Sequence, residues 1–540
     1  MTTKLKRRRR MNAAGLQGAS TQHPAMATAS GWPLGGWIAF ALMVVLVGGL
    51  YMFTLTTARD EPLVYDEAIY LQIAQRIAIT RCPIIATGDG IVFADNPPLV
   101  MYVSALMRRL GGESLMWLRS AHVTLWVLPG YIATSLLALR MFGVAAGVLA
   151  VVGFYTQHRF ISEAAEVRID VPLASLSALF LLVLIELRRA KTRRARRCLA
   201  VACGLLACLA SLTRYQGVLL PFTGVVYLLL ASCFPGDKGA PRQLLLFEVG
   251  VITLGALAAG ALWGLVNTAC GGDLMQAVLG NLRRVNSETS EPWFHRPLLT
   301  YWQDLATCVG PVFVGGVMVS LLLWLRRLKR SPEVALVSAW VILTFVFCSA
   351  IGLRHERYFL PAIPAMAVLV GSLAAPETYE ALAILKVWAR AAPALRLVLT
   401  LVVLVSSAVL FGQSIANLAQ LQRTGQRSNS FYIQLGGAVR ATTSPQEDRL
   451  LISRAQTAYF AERNYFLSEY EPDASRLIDM LANPANRITI IVEDSNQFFH
   501  PEMSAAGRTQ FWEYVGRHFA RLRTPGVRAA LYRRTSWSAG

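Results

Sequence analysis

Charge is what this chain has least of. Only 16% of its 540 residues are Asp, Glu, Lys or Arg, against about 25% in an average soluble domain. That shortage excludes an ordinary water-soluble enzyme. Lysine is absent altogether from residues 416–540. Cysteine is thin, with eight residues and no CxxC pair, which removes the usual dithiol and zinc-ribbon readings. Cys198, Cys203 and Cys208 are spaced five apart, do not share a helix face, and read as small buried apolar groups. No inverted repeat of broken helices is evident, which argues against a secondary transporter.

What the chain has in abundance is apolar sequence, 54% of its residues. It falls into about eleven runs of near membrane-spanning length: 34–57, 117–139, 142–158, 171–187, 198–213, 216–234, 244–268, 305–325, 334–353, 358–375 and 396–415. The first is too long and too late for a cleaved signal peptide and reads as an anchor. The net charge of +20 sits in alternate loops, at 4–10, 188–197 and 326–330. Basic loops stay on the cytoplasmic side. The N-terminus is therefore expected inside. Loops 58–116, 159–170, 214–216, 269–304 and 354–357, and everything after about 416, are expected outside. Such charge sets topology and meets anionic lipid rather than nucleic acid. Cys82 and Cys270 share the outer side, where a disulfide is possible, though their spacing gives it no support.

The expected fold class is an all-α polytopic membrane bundle with a small C-terminal α/β domain outside the membrane. Residues 1–33 read as a basic disordered cytoplasmic tail, 34–415 as the membrane module and 416–540 as the outer domain. Within the first outer loop, Ile69, Ile73 and Ile77 mark an amphipathic helix over 67–80 able to lie at the interface. Pro97-Pro98 opens a second, with Leu99, Tyr102, Val103, Leu106 and Leu110 on its apolar side, and Gly111-Gly112 ends it. In the last segment, 449–453 and 488–493 read as strands, and 475–481 and 509–519 as helices.

Four constellations can carry chemistry. The first is Asp66-Glu67, in Val64-Tyr65-Asp66-Glu67-Ala68-Ile69-Tyr70, where a membrane helix meets water. Helix capping competes as the whole explanation. The second is Arg168-Ile169-Asp170-Val171-Pro172, preceded by Glu163 and Glu166 and predicted on the same side. The third is a set of outer arginines, in Arg354-His355-Glu356-Arg357-Tyr358 and Thr213-Arg214-Tyr215-Gln216-Gly217. They defy the positive-inside rule, and a guanidinium fork suits phosphate. Snorkelling to lipid headgroups is the plainer alternative. The fourth pairs Asp95, in Asp95-Asn96-Pro97-Pro98, with His295-Arg296. A carboxylate and a histidine can share Zn²⁺ or another divalent cation. A surface histidine is the plainer reading there.

Taken together, Tyr65-Asp66-Glu67-Ala68-Ile69-Tyr70, Asn96-Pro97-Pro98-Leu99, Arg168-Ile169-Asp170-Val171-Pro172-Leu173, Leu212-Thr213-Arg214-Tyr215-Gln216-Gly217 and Arg357-Tyr358-Phe359-Leu360-Pro361 resemble the GT-C superfamily of membrane glycosyltransferases. The likeness is to bacterial relatives of protein O-mannosyltransferases, lipid A aminoarabinose transferases and rhizobial lipopolysaccharide galacturonosyltransferases. It spans about residues 34–375, in the family's order and spacing, and leaves the C-terminal domain uncovered. The resemblance implies an inverting transferase at the outer face of a bacterial inner membrane. A polyprenyl-phosphate-linked sugar would be the donor, and a lipid, glycan or protein the acceptor.

On the same resemblance, Asp66 matches the catalytic acid and Asp170 the second acidic position, with Glu67, Tyr70 and Arg168 in support. Arg357 and Tyr358 match the segment that meets the lipid phosphate, and Arg354, Arg214 and Arg296 are candidates to join them. The aminoarabinose transferases carry Lys before Pro in the first loop, where this chain has Asn96. Mechanistically, the arginines would hold the leaving phosphate while Asp66 takes the acceptor proton. A transporter or flippase of lipid-linked precursors, or a non-catalytic assembly protein on the same fold, are the competing readings.

Overall fold

The computed structural model describes residues 34–86, 96–155, 157–232, 242–274, 303, 305–306, 309–325, 331–350, 356–379, 391–444, 449–468, 471–494, 498–522 and 529–535. Among them, eight helices are long and apolar enough to cross a bilayer. The first two membrane segments are α1 (Leu34–Asp60) and α4 (Leu115–His122), the latter continuing through a π-helical turn into α5 (Leu128–Phe142). The third is a helix pair, α6 (Val144–Tyr155) and α7 (His158–Ala165), bent by 74°. Then follow α8 (Asp170–Arg189), α9 (Arg193–Thr213), a 3₁₀ turn leading into α10 (Leu219–Ala231), and α11 (Arg242–Ala269). The set closes with α12 (Pro311–Trp324), α13 (Pro332–Ala350), a 3₁₀ segment (Glu356–Ala362) leading into α14 (Ile363–Gly371), and α15 (Ala392–Thr442). About eleven runs were read from the sequence; among the described residues eight helices are long and apolar enough to span, nine if α6 and α7 count as one, while α10 and α12 are shorter than the runs at 216–234 and 305–325. The chain is a multi-span membrane protein.

Between α1 and α4 lie the two helices expected in the first loop, α2 (Tyr65–Thr80) and α3 (Leu99–Gly111). α2 ends where Arg81 takes a left-handed conformation and its N–H reaches the Ile77 carbonyl. α3 ends as expected at Gly111-Gly112, with the Gly112 N–H on the Arg108 carbonyl. α2 and α3 pack side by side.

One feature went unseen in the sequence. α15 runs unbroken for 51 residues, about 77 Å at 1.5 Å per residue. Only Ala392–Gln413 has membrane character. The helix passes through the expected boundary at 415 and carries the chain to the sheet domain, which begins at Arg449. Leu435 and Val439, near its end, are fully buried.

That domain is a five-stranded sheet ordered β2-β1-β3-β5-β4, comprising β1 (Arg449–Ile452), β2 (Tyr465–Leu467), β3 (Ile488–Glu493), β4 (Phe519–Leu522) and β5 (Ala530–Arg534). β1 is parallel to both β2 and β3, while β3–β5 and β5–β4 are antiparallel. Three helices join the strands: α16 (Ala455–Ala461), α17 (Ala474–Ala482) and α18 (Ala505–His518). One face of the sheet closes over Leu477, Leu481, Phe498, Phe511 and Val515. The other joins Leu71, Ile73, Ile77, Val100 and Met101 of α2 and α3 in one core. Gln72 donates to the Ala455 carbonyl (2.9 Å), and the Tyr465 N–H to the Ala86 carbonyl (2.9 Å). The sheet domain therefore braces the helix that carries Asp66.

Candidate active site

Asp66 lies in the first turn of α2, one residue past its start, and no side chain caps that helix. Its carboxylate pairs instead with the Arg357 guanidinium, from the 3₁₀ segment before α14. Asp170 is the first residue of α8, which likewise lacks a side-chain cap, and it pairs with Arg214. Capping thus explains neither acid. Arg357 and Arg214 have each found an acid more than forty positions away.

The two pairs belong to one cluster. Arg214 lies 4.5 Å from the centre of the Tyr358 ring, and Tyr358 is the neighbour of Arg357. Tyr70, one turn along α2 from Asp66, feels the charges of Asp66, Arg357, Arg214 and Arg168 together. Burial first, and then the Asp66 charge, push its phenol up to about 12. It is a neutral hydrogen-bond donor at any physiological pH.

Arg214 reaches this place because of the turn after α9. The Gly217 N–H closes that turn onto the Arg214 carbonyl at 2.8 Å. A Cβ on Gly217 would come within 2.0 Å of the Ala210 carbonyl oxygen. Only glycine allows that approach.

Arg168 has its own acids. Its Nη1 donates to Glu163 at 2.6 Å and its Nε pairs with Glu166. Burial, with Glu163 and Glu67 adding to it, holds the Glu166 carboxyl well above the usual range. Glu67 points the other way from Asp66. It is fully buried and bonded through both oxygens to Arg119, with the Val167 N–H on Oε1 at 2.9 Å. It therefore ties α2 to α4 and to the segment leading into Asp170. Sequence reasoning missed Arg119. Its signal was a lone arginine inside an apolar run, a costly placement that needs a partner.

The guanidinium groups are not saturated. Nε of Arg214 and Nε of Arg357 are buried and donate to no acceptor among the described residues. Buried donors left without an acceptor cost about 1–3 kcal/mol each, so an anion entering here would be met by ready N–H groups. Asn96 Oδ1, at the foot of α3, is also buried without a partner among the described residues.

Asp95, His295, Arg296 and Arg354 lie outside the described residues. Among the described residues no group of three or more His, Cys, Asp or Glu side chains could hold a metal ion. Cys82 and Cys270 form a disulfide, with Cα atoms 5.6 Å apart across 188 positions. It joins the chain just after α2 to the end of α11. Sequence spacing gave this bond no support, because only packing brings the two ends together.

Residues 95–239 match the dolichyl-phosphate-mannose-protein mannosyltransferase family. No curated protein matches the chain in sequence. Among solved structures, ArnT from Cupriavidus metallidurans bound to undecaprenyl phosphate aligns with a TM-score of 0.65 at 17% identity, over 94% of this chain and 100% of that one. The archaeal oligosaccharyltransferase AglB from Archaeoglobus fulgidus, in complex with an inhibitory peptide and a dolichol-phosphate, aligns with a TM-score of 0.57 at 13% identity, over 93% of this chain and 75% of that one. The chain shares its fold with these structures, the GT-C fold that its motifs led one to expect.

Proposed function

We propose that this protein is an inverting glycosyltransferase. It would move a sugar from a polyprenyl-phosphate donor to a lipid, glycan or protein acceptor at the outer face of the cytoplasmic membrane. The observation that carries the reading is the convergence of Asp66, Asp170, Arg214 and Arg357 in one buried-to-open cluster. Sugar transfer needs a leaving group held in place and a base for the incoming hydroxyl. A phosphate leaves readily when its charge is met, and the unsatisfied N–H groups of Arg214 and Arg357 are suited to that. Asp66 is the more open of the two acids and takes the acceptor proton, a role worth roughly 10²–10⁴-fold. Asp170 holds Arg214. A single displacement of this kind inverts the anomeric carbon.

The lipids bound to the structural neighbours support the donor class. ArnT is bound to undecaprenyl phosphate and AglB to a dolichol-phosphate. The Cys82–Cys270 disulfide supports the sidedness, since such bonds persist in oxidising compartments. With Arg193 and Arg242 opening α9 and α11, Arg214 and Cys270 lie at or just past the far ends of those helices. For a divalent cation, Asp95 and His295 remain the candidate ligands.

The test is turnover of a labelled polyprenyl-phosphate sugar in membranes carrying wild-type protein or Asp66→Asn. A loss of two or more orders of magnitude is expected. Near-normal turnover by well-inserted Asp66→Asn would sink the base assignment. Mass spectrometry of envelope lipids and glycans with and without the protein would identify sugar and acceptor.

A further inference from the structure

The two acid–arginine pairs differ in one decisive respect. Asp170 and Arg214 are sealed, with side chains 2% and 4% exposed, whereas Asp66 and Arg357 are partly exposed, at 30% and 14%. A sealed ion pair is held by the cost of stranding either charge. A pair that reaches solvent is screened more, is worth less and exchanges partners more readily. We propose that the Asp66–Arg357 pair is an exchangeable lock. The phosphate of the lipid donor displaces Asp66 from Arg357, so that the acid becomes available to the acceptor only once the donor is seated. The inference rests on the donor-site reading above and adds an order of events to it.

Three observations favour exchange at this pair. A guanidinium carries five N–H donors in a fixed fork, and Nε of Arg357 is buried with no acceptor among the described residues. The arginine can therefore begin to bind an incoming anion before it releases Asp66. Next, a second nearby cation is committed: Arg168 is held by Glu163 and Glu166. Asp66, once released, is not simply recaptured by it. Finally, the inner pair supplies a fixed reference. Arg214 stays on Asp170 and against the Tyr358 ring.

In chemical terms the carboxylate and the phosphate are competing ligands for one guanidinium. Removing the carboxylate's charge should then tighten lipid-phosphate binding, although Asp66 is the proposed base. An acid that merely sits near the donor, without occupying its cation, predicts no such gain.

Binding of undecaprenyl phosphate to the purified full chain in detergent tests this, independently of turnover. Wild type, Asp66→Asn, Arg357→Gln, Arg214→Gln and the Asp66→Asn/Arg357→Gln double variant are compared at one salt concentration. Asp66→Asn is expected to bind about two- to fivefold tighter, the range set by loss of an ion pair that reaches solvent. Arg357→Gln is expected to bind at least tenfold more weakly. Adding Asp66→Asn to Arg357→Gln should change affinity less than twofold. Asp66→Ser replaces Asp66→Asn if the latter does not elute as folded protein.

The lock is overturned if Asp66→Asn binds no tighter than wild type while Arg357→Gln weakens binding. That outcome leaves the donor site standing. It is overturned equally if the gain persists in the double variant, because the gain then does not run through Arg357. If neither Arg357→Gln nor Arg214→Gln alters affinity, the donor-site reading itself fails.

Discussion

Glu67 and Arg119 stand 52 positions apart and form a bidentate ion pair sealed from solvent, with side chains 0% and 1% exposed. Nη1 of Arg119 also donates to the carbonyls of Ala58 (3.1 Å) and Glu61 (2.6 Å), at the end of α1. One guanidinium thus joins three helices at the point where α2 starts. Breaking such a pair leaves a buried charge uncompensated and costs about 3–5 kcal/mol. Glu67→Gln and Arg119→Met should each lower the unfolding temperature in detergent by many degrees. Asp66→Asn, one residue away but at an open pair, should shift it by little. A Glu67→Gln protein as stable as wild type would remove the anchor role.

Glu166 gives a pH signature. Its folded-state carboxyl is held well above the ordinary value, chiefly by burial. The sign follows from linkage. A group with a raised folded pKa contributes stability that is full below its unfolded value, about 4.3, and is lost as pH rises through the folded value. Thermal stability should therefore fall between those two limits on raising pH. Glu166→Gln, which cannot ionise, should flatten that fall. An unchanged slope in Glu166→Gln would assign the dependence elsewhere.

How legible this was in the sequence depended on range. The apolar runs, α2, α3 and strands β1 and β3 could be read because each is set by local period and composition. Asp66, Asp170, Arg214 and Arg357 could be nominated because charges at one membrane face are few. Their pairing could not be read, since Asp66 meets Arg357 across 291 positions and only helix packing sets that distance. β2 is three residues long, and β4 and β5 carry Arg521, Arg533 and Arg534 among their apolar residues, so none shows the apolar run that marks β1 and β3. α15 hid because its C-terminal half is polar, and hydropathy marks where membrane character stops rather than where a helix does.

The Cys82–Cys270 disulfide should behave as a tether on α2. Both cysteines should resist alkylation until a reductant is added, read as a mass shift on intact protein. Cys82→Ser should lower the unfolding temperature. Disulfides of this kind contribute typically about 2–4 kcal/mol, and more for longer loops. Free thiols at both positions in protein isolated from an oxidising compartment would contradict the bond and weaken the assignment of sidedness that rests on it.

Gly217 offers the sharpest separation of position from charge. A methyl group there would lie 2.0 Å from the Ala210 carbonyl oxygen, backbone that cannot swing aside. The turn must shift, and Arg214, whose carbonyl accepts the Gly217 N–H, shifts with it. Gly217→Ala keeps every charge in the cluster yet misplaces one guanidinium held between Asp170 and Tyr358. Stability should fall by about 1–3 kcal/mol, as for other overpacked sites. If Arg214 positions the donor phosphate, donor affinity should fall with it, and lowering temperature to restore the folded fraction should not recover that affinity. Weakened folding with wild-type lipid binding would mean that the turn is structural and that Arg214 does not meet the donor.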